Sequence, residues 1–196
     1  MRVGGLLRDV ARKLRELVEG GLYHVYARGN DRREIFLRDQ DRHRYLGLLA
    51  EVVRRKRWNC LQYCLMGNHV HLLIETPEPN LDAGMQLLHG KYARWFNDEH
   101  ERSGHLFQGR YGASRIESDP QLWATIGYIA ANPVVAGVAR TCEEYPWSSH
   151  AATARGSAHR MLAIRRLFEH ISTFAEDPHE CYLRMVRQAV ELATAA

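Results

Sequence analysis

Two histidines stand two apart in GNHVHLLIETP, residues 67–77, a run that is otherwise largely apolar and β-branched. Successive side chains of a strand point to opposite faces, so His69 and His71 would share one face while Val70 turns into the core. Such a pair can hold a divalent metal ion. With 11 histidines in 196 residues, however, chance alone yields ~0.6 His-x-His pairs, so the motif needs company before it counts as a site. A second pair of reactive groups lies in IGYIAANP (126–133), where Tyr128 and Asn132 are four apart. On a helix they would present a phenol and an amide to one site, a turn from each other. The plainer alternative makes Tyr128 a core aromatic and Asn132 a helix terminator, because Pro133 disfavours helical geometry at the residue before it.

The elements that must position these groups follow from pattern. Residues 5–19 repeat apolar residues at helical spacing and Gly20-Gly21 stops them, predicting a short amphipathic helix. LYHVYARG (22–29) alternates as a strand, and Asp39 to Arg57 carries Tyr45, Leu48, Leu49, Val52 and Val53 at helical spacing. WNCLQYCLM (58–66) and HVHLLIET (69–76) are strand-like runs joined by Gly67-Asn68, a two-residue hairpin signal that places His69 at the start of the second strand. Asn80 is the expected cap of a helix to about Asp98; residues 104–116 read as loop plus strand; a helix opens at Asp119-Pro120 and closes at Asn132-Pro133. This interleaving predicts an α+β fold of the ferredoxin-like type, one antiparallel sheet with helices on one face. The expected organisation is an N-terminal helix over 1–20, a catalytic domain over 21–152 and a helical C-terminal tail over 153–196.

Composition narrows the function classes. A hydrophobic content of 45% over this length supports one substantial core. The net charge of +4 permits a nucleic-acid partner without demanding one, so any footprint must be local. No apolar run has membrane-spanning length, and Asp9, Glu16 and Glu19 interrupt the basic residues of the first twenty. The expectation is a cytoplasmic protein with no membrane partner. Cys60, Cys64, Cys142 and Cys181 form no CxxC pair and are expected as reduced, buried thiols, the first two on one strand face.

Taken as a set, YHVYARGNDRREIF, MGNHVHLLIETP, GHLFQGRYGASRI, YIAANPVVAGVA and YPWSSH resemble the REP-associated tyrosine transposases, a branch of the single-tyrosine HUH transposases. HUH denotes His, hydrophobic residue, His, as in His69-Val70-His71. The similarity runs in the family's order across residues 22–150. It implies a ferredoxin-like catalytic domain that acts on single-stranded DNA, often near hairpins, without ATP. It also implies that His69 and His71 are metal ligands, that Tyr128 is the nucleophile of Tyr-Ile-x-x-Asn-Pro, and that Asn132 takes the helix-borne third ligand position, where some relatives carry glutamine. Mg²⁺ or Mn²⁺ suits two neutral imidazoles and an amide oxygen, which leave the ion its charge and open positions for phosphate and water. The oligomeric state implied is a monomer or a homodimer.

Around that set, Asn68, Glu75 or a backbone carbonyl are candidate partners for the second ring nitrogens of the histidines. Arg28 and Asn30 after the first strand, and Gln108, Arg110 and Tyr111 in LFQGRY, are candidate DNA contacts, combining charge, hydrogen bonding and a stacking ring. Tyr111 is also the rival nucleophile. Arg54-Arg55-Lys56-Arg57 reads equally as a solvated helix end and as a DNA patch. His24 and the other scattered histidines receive no ligand role. Three functions compete on these grounds: a metal-dependent strand-transfer enzyme using Tyr128, a catalytically silent DNA-hairpin-binding protein, and a metal hydrolase that activates water.

Overall fold

The computed structural model describes residues 16–157, 159–172 and 177–195. Most of the expected N-terminal helix therefore lies outside the described residues. Alternation produces β1 (Gly21–Arg28): Tyr23, Val25 and Ala27 are buried on one side, while His24, Tyr26 and Arg28 project from the other. A 3-10 turn, Asn30–Arg32, leads to α1 (Asp39–Lys56), whose start is fixed by the Asp41 carboxylate accepting from the N–H groups of Leu37 and Arg38 at 2.6 and 2.9 Å. β2 (Asn59–Leu65) and β3 (His69–Thr76) form the predicted hairpin, closed by the Met66 N–H donating to the His69 carbonyl. Neither Gly67 nor Asn68 has a positive φ, so the turn is not of the primed kind usual in hairpins. Both Ile35 and Phe36 donate their N–H groups to the Gly67 carbonyl, which holds the turn from outside. α2 (Leu81–Glu99), β4 (Gly112–Arg115) and α3 (Asp119–Val135) complete the interleaved order. The sheet runs β2-β3-β1-β4 with every pairing antiparallel, the ferredoxin-like arrangement.

Asn80 precedes α2 as expected, yet its side chain makes no cap and instead accepts from the Trp58 indole at 2.6 Å. Helix α3 does not close at Asn132-Pro133 but continues to Val135. Pro133 falls in the last turn, where its missing N–H costs one hydrogen bond, and the Asn132 carbonyl still accepts from Ala136.

The helices do not all lie on one face. α1 and α2 pack Tyr45, Leu49, Met85 and Tyr92 against Val25, Val70 and Leu72, whereas α3 packs Ile126 and Ile129 against Leu61, Cys64 and Leu73 on the opposite side. Burial explains this: residues 60–65 and 70–76 are buried throughout, so these two strands lack a solvated face and both sides need cover. The chain beyond residue 152, set apart on sequence as a tail, supplies part of that cover. It forms α5 (Ile164–Ser172) and α6 (Pro178–Thr194) after a short α4 (His150–Ala154), and Leu167, Ile171, Tyr182 and Val186 join the second core. α5 is further tied to β3 by Glu75, which accepts from Arg166 and His170.

Cys60 and Cys64 prove to be on opposite faces. A register irregularity between Cys60 and Gln62 inserts one residue into the alternation, sending Cys60 to the α1–α2 core and Cys64 to the α3 core. All four cysteines are buried free thiols.

Candidate active site

The antiparallel register of β1 and β3 sets Arg28 opposite His69, Tyr26 opposite His71 and His24 opposite Leu73. Directly paired residues share a sheet face, so His24, Tyr26, Arg28, His69 and His71 all stand on the side covered by α3. That helix lays its C-terminal half over the two β3 histidines. Asn132 is buried, 8% exposed, and its Oδ1 lies 3.2 Å from His69 Nε2. Tyr128, one turn earlier, remains 48% exposed, with its ring edge-on to His71 at a centroid distance of 5.1 Å. Thus one helix brings an accessible phenol and a buried amide to the same two imidazoles.

Hydrogen bonds fix the orientation of these rings. Asn68 Nδ2 donates to the Arg32 carbonyl at 2.9 Å, which leaves its Oδ1 to accept from His69 Nδ1 at 2.6 Å. With its hydrogen on Nδ1, His69 turns a lone pair at Nε2 toward Asn132 Oδ1, another acceptor. His71 Nδ1 lies 3.0 Å from His24 Nε2, and when the shared hydrogen resides on His71 its Nε2 is likewise a free lone pair. Burial pushes the pKa of His71 down to about 3 and that of His24 to about 4, and lowers His69 as well, so all three are neutral at pH 7.

This donor set fits a divalent cation. Adjacent ligand atoms of an octahedral ion with bonds of roughly 2.0–2.1 Å stand about 3 Å apart, close to the His69 to Asn132 separation. Two facing lone pairs also have no hydrogen between them, an arrangement a cation would relieve. No cluster of three His, Cys, Asp or Glu side chains suited to a metal occurs among the described residues, so the set depends on the Asn132 amide.

The profile of the family described as IS200-like transposases matches residues 18–132, more than half of the chain. The chain belongs to that family. A Haemophilus influenzae protein provisionally named a REP-associated tyrosine transposase is 24% identical over 146 residues, covering 69% of this chain and 82% of that protein. A solved REP-associated tyrosine transposase, bound in its structure to a REP hairpin, superimposes with a TM-score of 0.64 at 20% identity, covering 79% of this chain and 92% of the other.

The remaining predicted residues of the transposase divide by sheet face. Arg28 is exposed beside His69, and Asn30 begins the 3-10 turn with its N–H donating to Leu106. Tyr111 packs in the α1–α2 core at 5% exposure and donates to Asp82. It is on the wrong side of the sheet to rival Tyr128. Gln108 and Arg110 are exposed on the rim of a cleft on that same side. Of the proposed partners for the ring nitrogens, Asn68 meets His69, whereas Glu75 is occupied by Arg166, His170 and Asn59. His24 went unassigned on sequence, although the alternation of LYHVYARG already placed it with Tyr26 and Arg28.

Proposed function

We propose that the protein is a metal-dependent transposase that cleaves and rejoins single-stranded DNA near hairpins, with Tyr128 as nucleophile. The observation that carries this reading is the delivery by α3 of an exposed Tyr128 and a buried Asn132 onto His69 and His71. Family membership and the likeness to a transposase solved with a DNA hairpin support the substrate class.

In this reading the Tyr128 phenol oxygen attacks the phosphorus of a phosphodiester. A bond from the tyrosine oxygen to phosphorus forms, the bond to the 3′ oxygen breaks, and the product is a 5′-phosphotyrosine and a free 3′-hydroxyl. The phenolic proton is given up and the leaving 3′ oxygen takes one. An incoming 3′-hydroxyl reverses these events and rejoins DNA without nucleotide hydrolysis. His69, His71 and Asn132 would hold Mg²⁺ or Mn²⁺, which supplies Lewis-acid polarisation of the phosphodiester when bound. Asn68 and His24 hold the histidine rings in place, and Arg28 offers a cation to a neighbouring phosphate.

The test is incubation of the protein with labelled hairpin oligonucleotides carrying single-stranded flanks, with Mn²⁺ or with chelator, followed by denaturing electrophoresis. The expected result is metal-dependent cleavage with a covalent adduct that is lost in Tyr128→Phe and kept in Tyr111→Phe. Cleavage surviving Tyr128→Phe without an adduct would point to water as nucleophile, and binding without cleavage would point to a silent hairpin-binding protein. Either result overturns the proposal.

A further inference from the structure

On the sheet face away from Tyr128, a cleft of about 760 Å³ opens between α2 and the 104–111 segment. Gln86, His89 and Gly90 form one wall, and Phe107, Gln108 and Arg110 the other. His89 stacks on Phe107 with centroids 4.2 Å apart, and burial keeps the imidazole uncharged, its pKa pushed down to about 3. A second cleft of about 540 Å³ shares Gln86 and Gly90 with the first and continues to Arg55, Lys56, Lys91 and Arg94. The two clefts flank α2 and meet at Gln86 and Gly90, the first lined by aromatic rings and the second by basic side chains. The first cleft adjoins the candidate active site along the backbone: Gln108 donates its N–H to the Arg28 carbonyl, and Asn30 donates to Leu106.

Gly90 leaves room between the two clefts. Glycine in a helix interior costs stability relative to alanine. Packing accounts for Gly84 in the same helix, since a Cβ there would meet the Trp58 ring at 2.1 Å. A Cβ at Gly90 would meet nothing within 4 Å. Gly90 lines both clefts, and its missing side chain leaves the surface of α2 open between them.

We infer that the two clefts act as one groove and hold the single-stranded segment flanking the DNA hairpin, with bases toward the His89–Phe107 wall, phosphates on Arg110, Arg94, Arg55 and Lys56, and the strand crossing α2 at Gly90. The inference rests on the proposed single-stranded DNA activity and gives that activity a second contact surface. A ring-lined wall with cations along a track is the arrangement that binds single strands with little sequence preference. Lys91, held by Glu51 at 2.7 Å, is already partly engaged.

The test compares two fluorescent probes, a blunt DNA hairpin and the same hairpin with a single-stranded flank, by polarisation at several salt concentrations. The double variant Arg55→Gln/Arg94→Gln is expected to bind the flanked probe about tenfold more weakly. Its salt slope for that probe should fall by roughly 1.4, at about 0.7 per lost phosphate contact, with blunt-hairpin affinity unchanged. Gly90→Gln is expected to weaken the flanked probe without lowering the melting temperature, while Gly47→Ala on α1, outside the groove, leaves binding as it was. An equal loss for both probes would assign the groove to duplex and overturn the inference. So would unchanged binding of the flanked probe. Failure of the unaltered protein to bind either probe would instead remove the DNA activity on which the inference depends, and the inference with it.

Discussion

Replacing Asn68 by alanine should weaken metal binding more than it weakens the fold. Asn68 makes two side-chain bonds, accepting from His69 at 2.6 Å and donating to Arg32 at 2.9 Å, while its main-chain carbonyl accepts from Gly29 at 2.8 Å and survives the substitution. Without the acceptor, the His69 ring can rotate and take either tautomer, so its lone pair no longer points at Asn132 for most of the time. Outer partners of this kind are worth roughly 10–100-fold in metal affinity, or about 1.4–2.7 kcal/mol. The fold loses less: the Arg32 carbonyl is freed at an exposed position and is solvated, so the net cost is about 1 kcal/mol. Calorimetric or spin-resonance titration of Mn²⁺ into the DNA-free protein measures the first quantity, and thermal melting the second. Asn68→Asp keeps the acceptor for His69 and should bring Mn²⁺ affinity back to within about threefold of the starting protein, well inside the range set by that outer partner. Wild-type Mn²⁺ affinity in Asn68→Ala, or an Asn68→Asp variant as weak as the alanine, would refute the orienting role.

Gly127, beside Tyr128, would place a Cβ 2.8 Å from Ala189 and 2.9 Å from the Met185 carbonyl of α6; Gly127→Ala should cost about 1–3 kcal/mol of stability and reduce adduct formation more than DNA binding, as melting and gel assays together would establish. Because His24 and His71 are held neutral by burial, the unfolded chain binds more protons than the folded one between about pH 6.5 and pH 4, so stability should fall with pH across that window by up to ~1.4 kcal/mol per unit for each histidine. Melting against pH checks this, and His24→Gln should flatten the curve. Burial would raise the Glu75 carboxyl, but hydrogen bonds from His170, Arg166 and Asn59 outweigh it and hold the group well below the usual range. Glu75→Gln should therefore lose about 1–3 kcal/mol at pH 7, allowing for the partial exposure of Arg166, and the deficit should shrink as pH falls below the ordinary glutamate pKa of about 4.3, where the unfolded chain takes up a proton before the folded carboxylate does.

The sheet was legible because β1 keeps its alternation and Gly67-Asn68 marks the hairpin of β2 and β3. His24 was within reach of a parity argument once β1 was paired with β3, a pairing that pattern alone does not supply. The second helical layer was harder to foresee. Residues 60–65 and 70–76 are apolar on both faces, a pattern that calls for cover without naming what provides it, and the partners Leu167, Ile171 and Tyr182 lie about a hundred residues downstream. The bulge at Cys60–Gln62 left no mark in composition, and it alone moved Cys60 to the other face. Pro133 misled for a related reason: its missing donor matters least in a final turn, and only the structure places that turn.

The proposed chemistry asks opposite things of Tyr128 and Asn132, and the position of each on α3, one turn apart, suits both. A ligand must be held still, and Asn132 is buried against His69; a nucleophile must reach a bulky phosphodiester, and Tyr128 stands half exposed over His71. The separation between α3 and β3 decides whether the pair meets the histidines, and that separation is set from outside the site. α6 presses on Gly127 from one side, while Glu75, on the strand that carries His69 and His71, ties α5 to the same layer. In the proposed reaction the C-terminal helices therefore bear on the site: loosening Arg166 from Glu75 should reach Tyr128 through α5, α6 and α3, lowering adduct yield while His69 and His71 keep their place on β3.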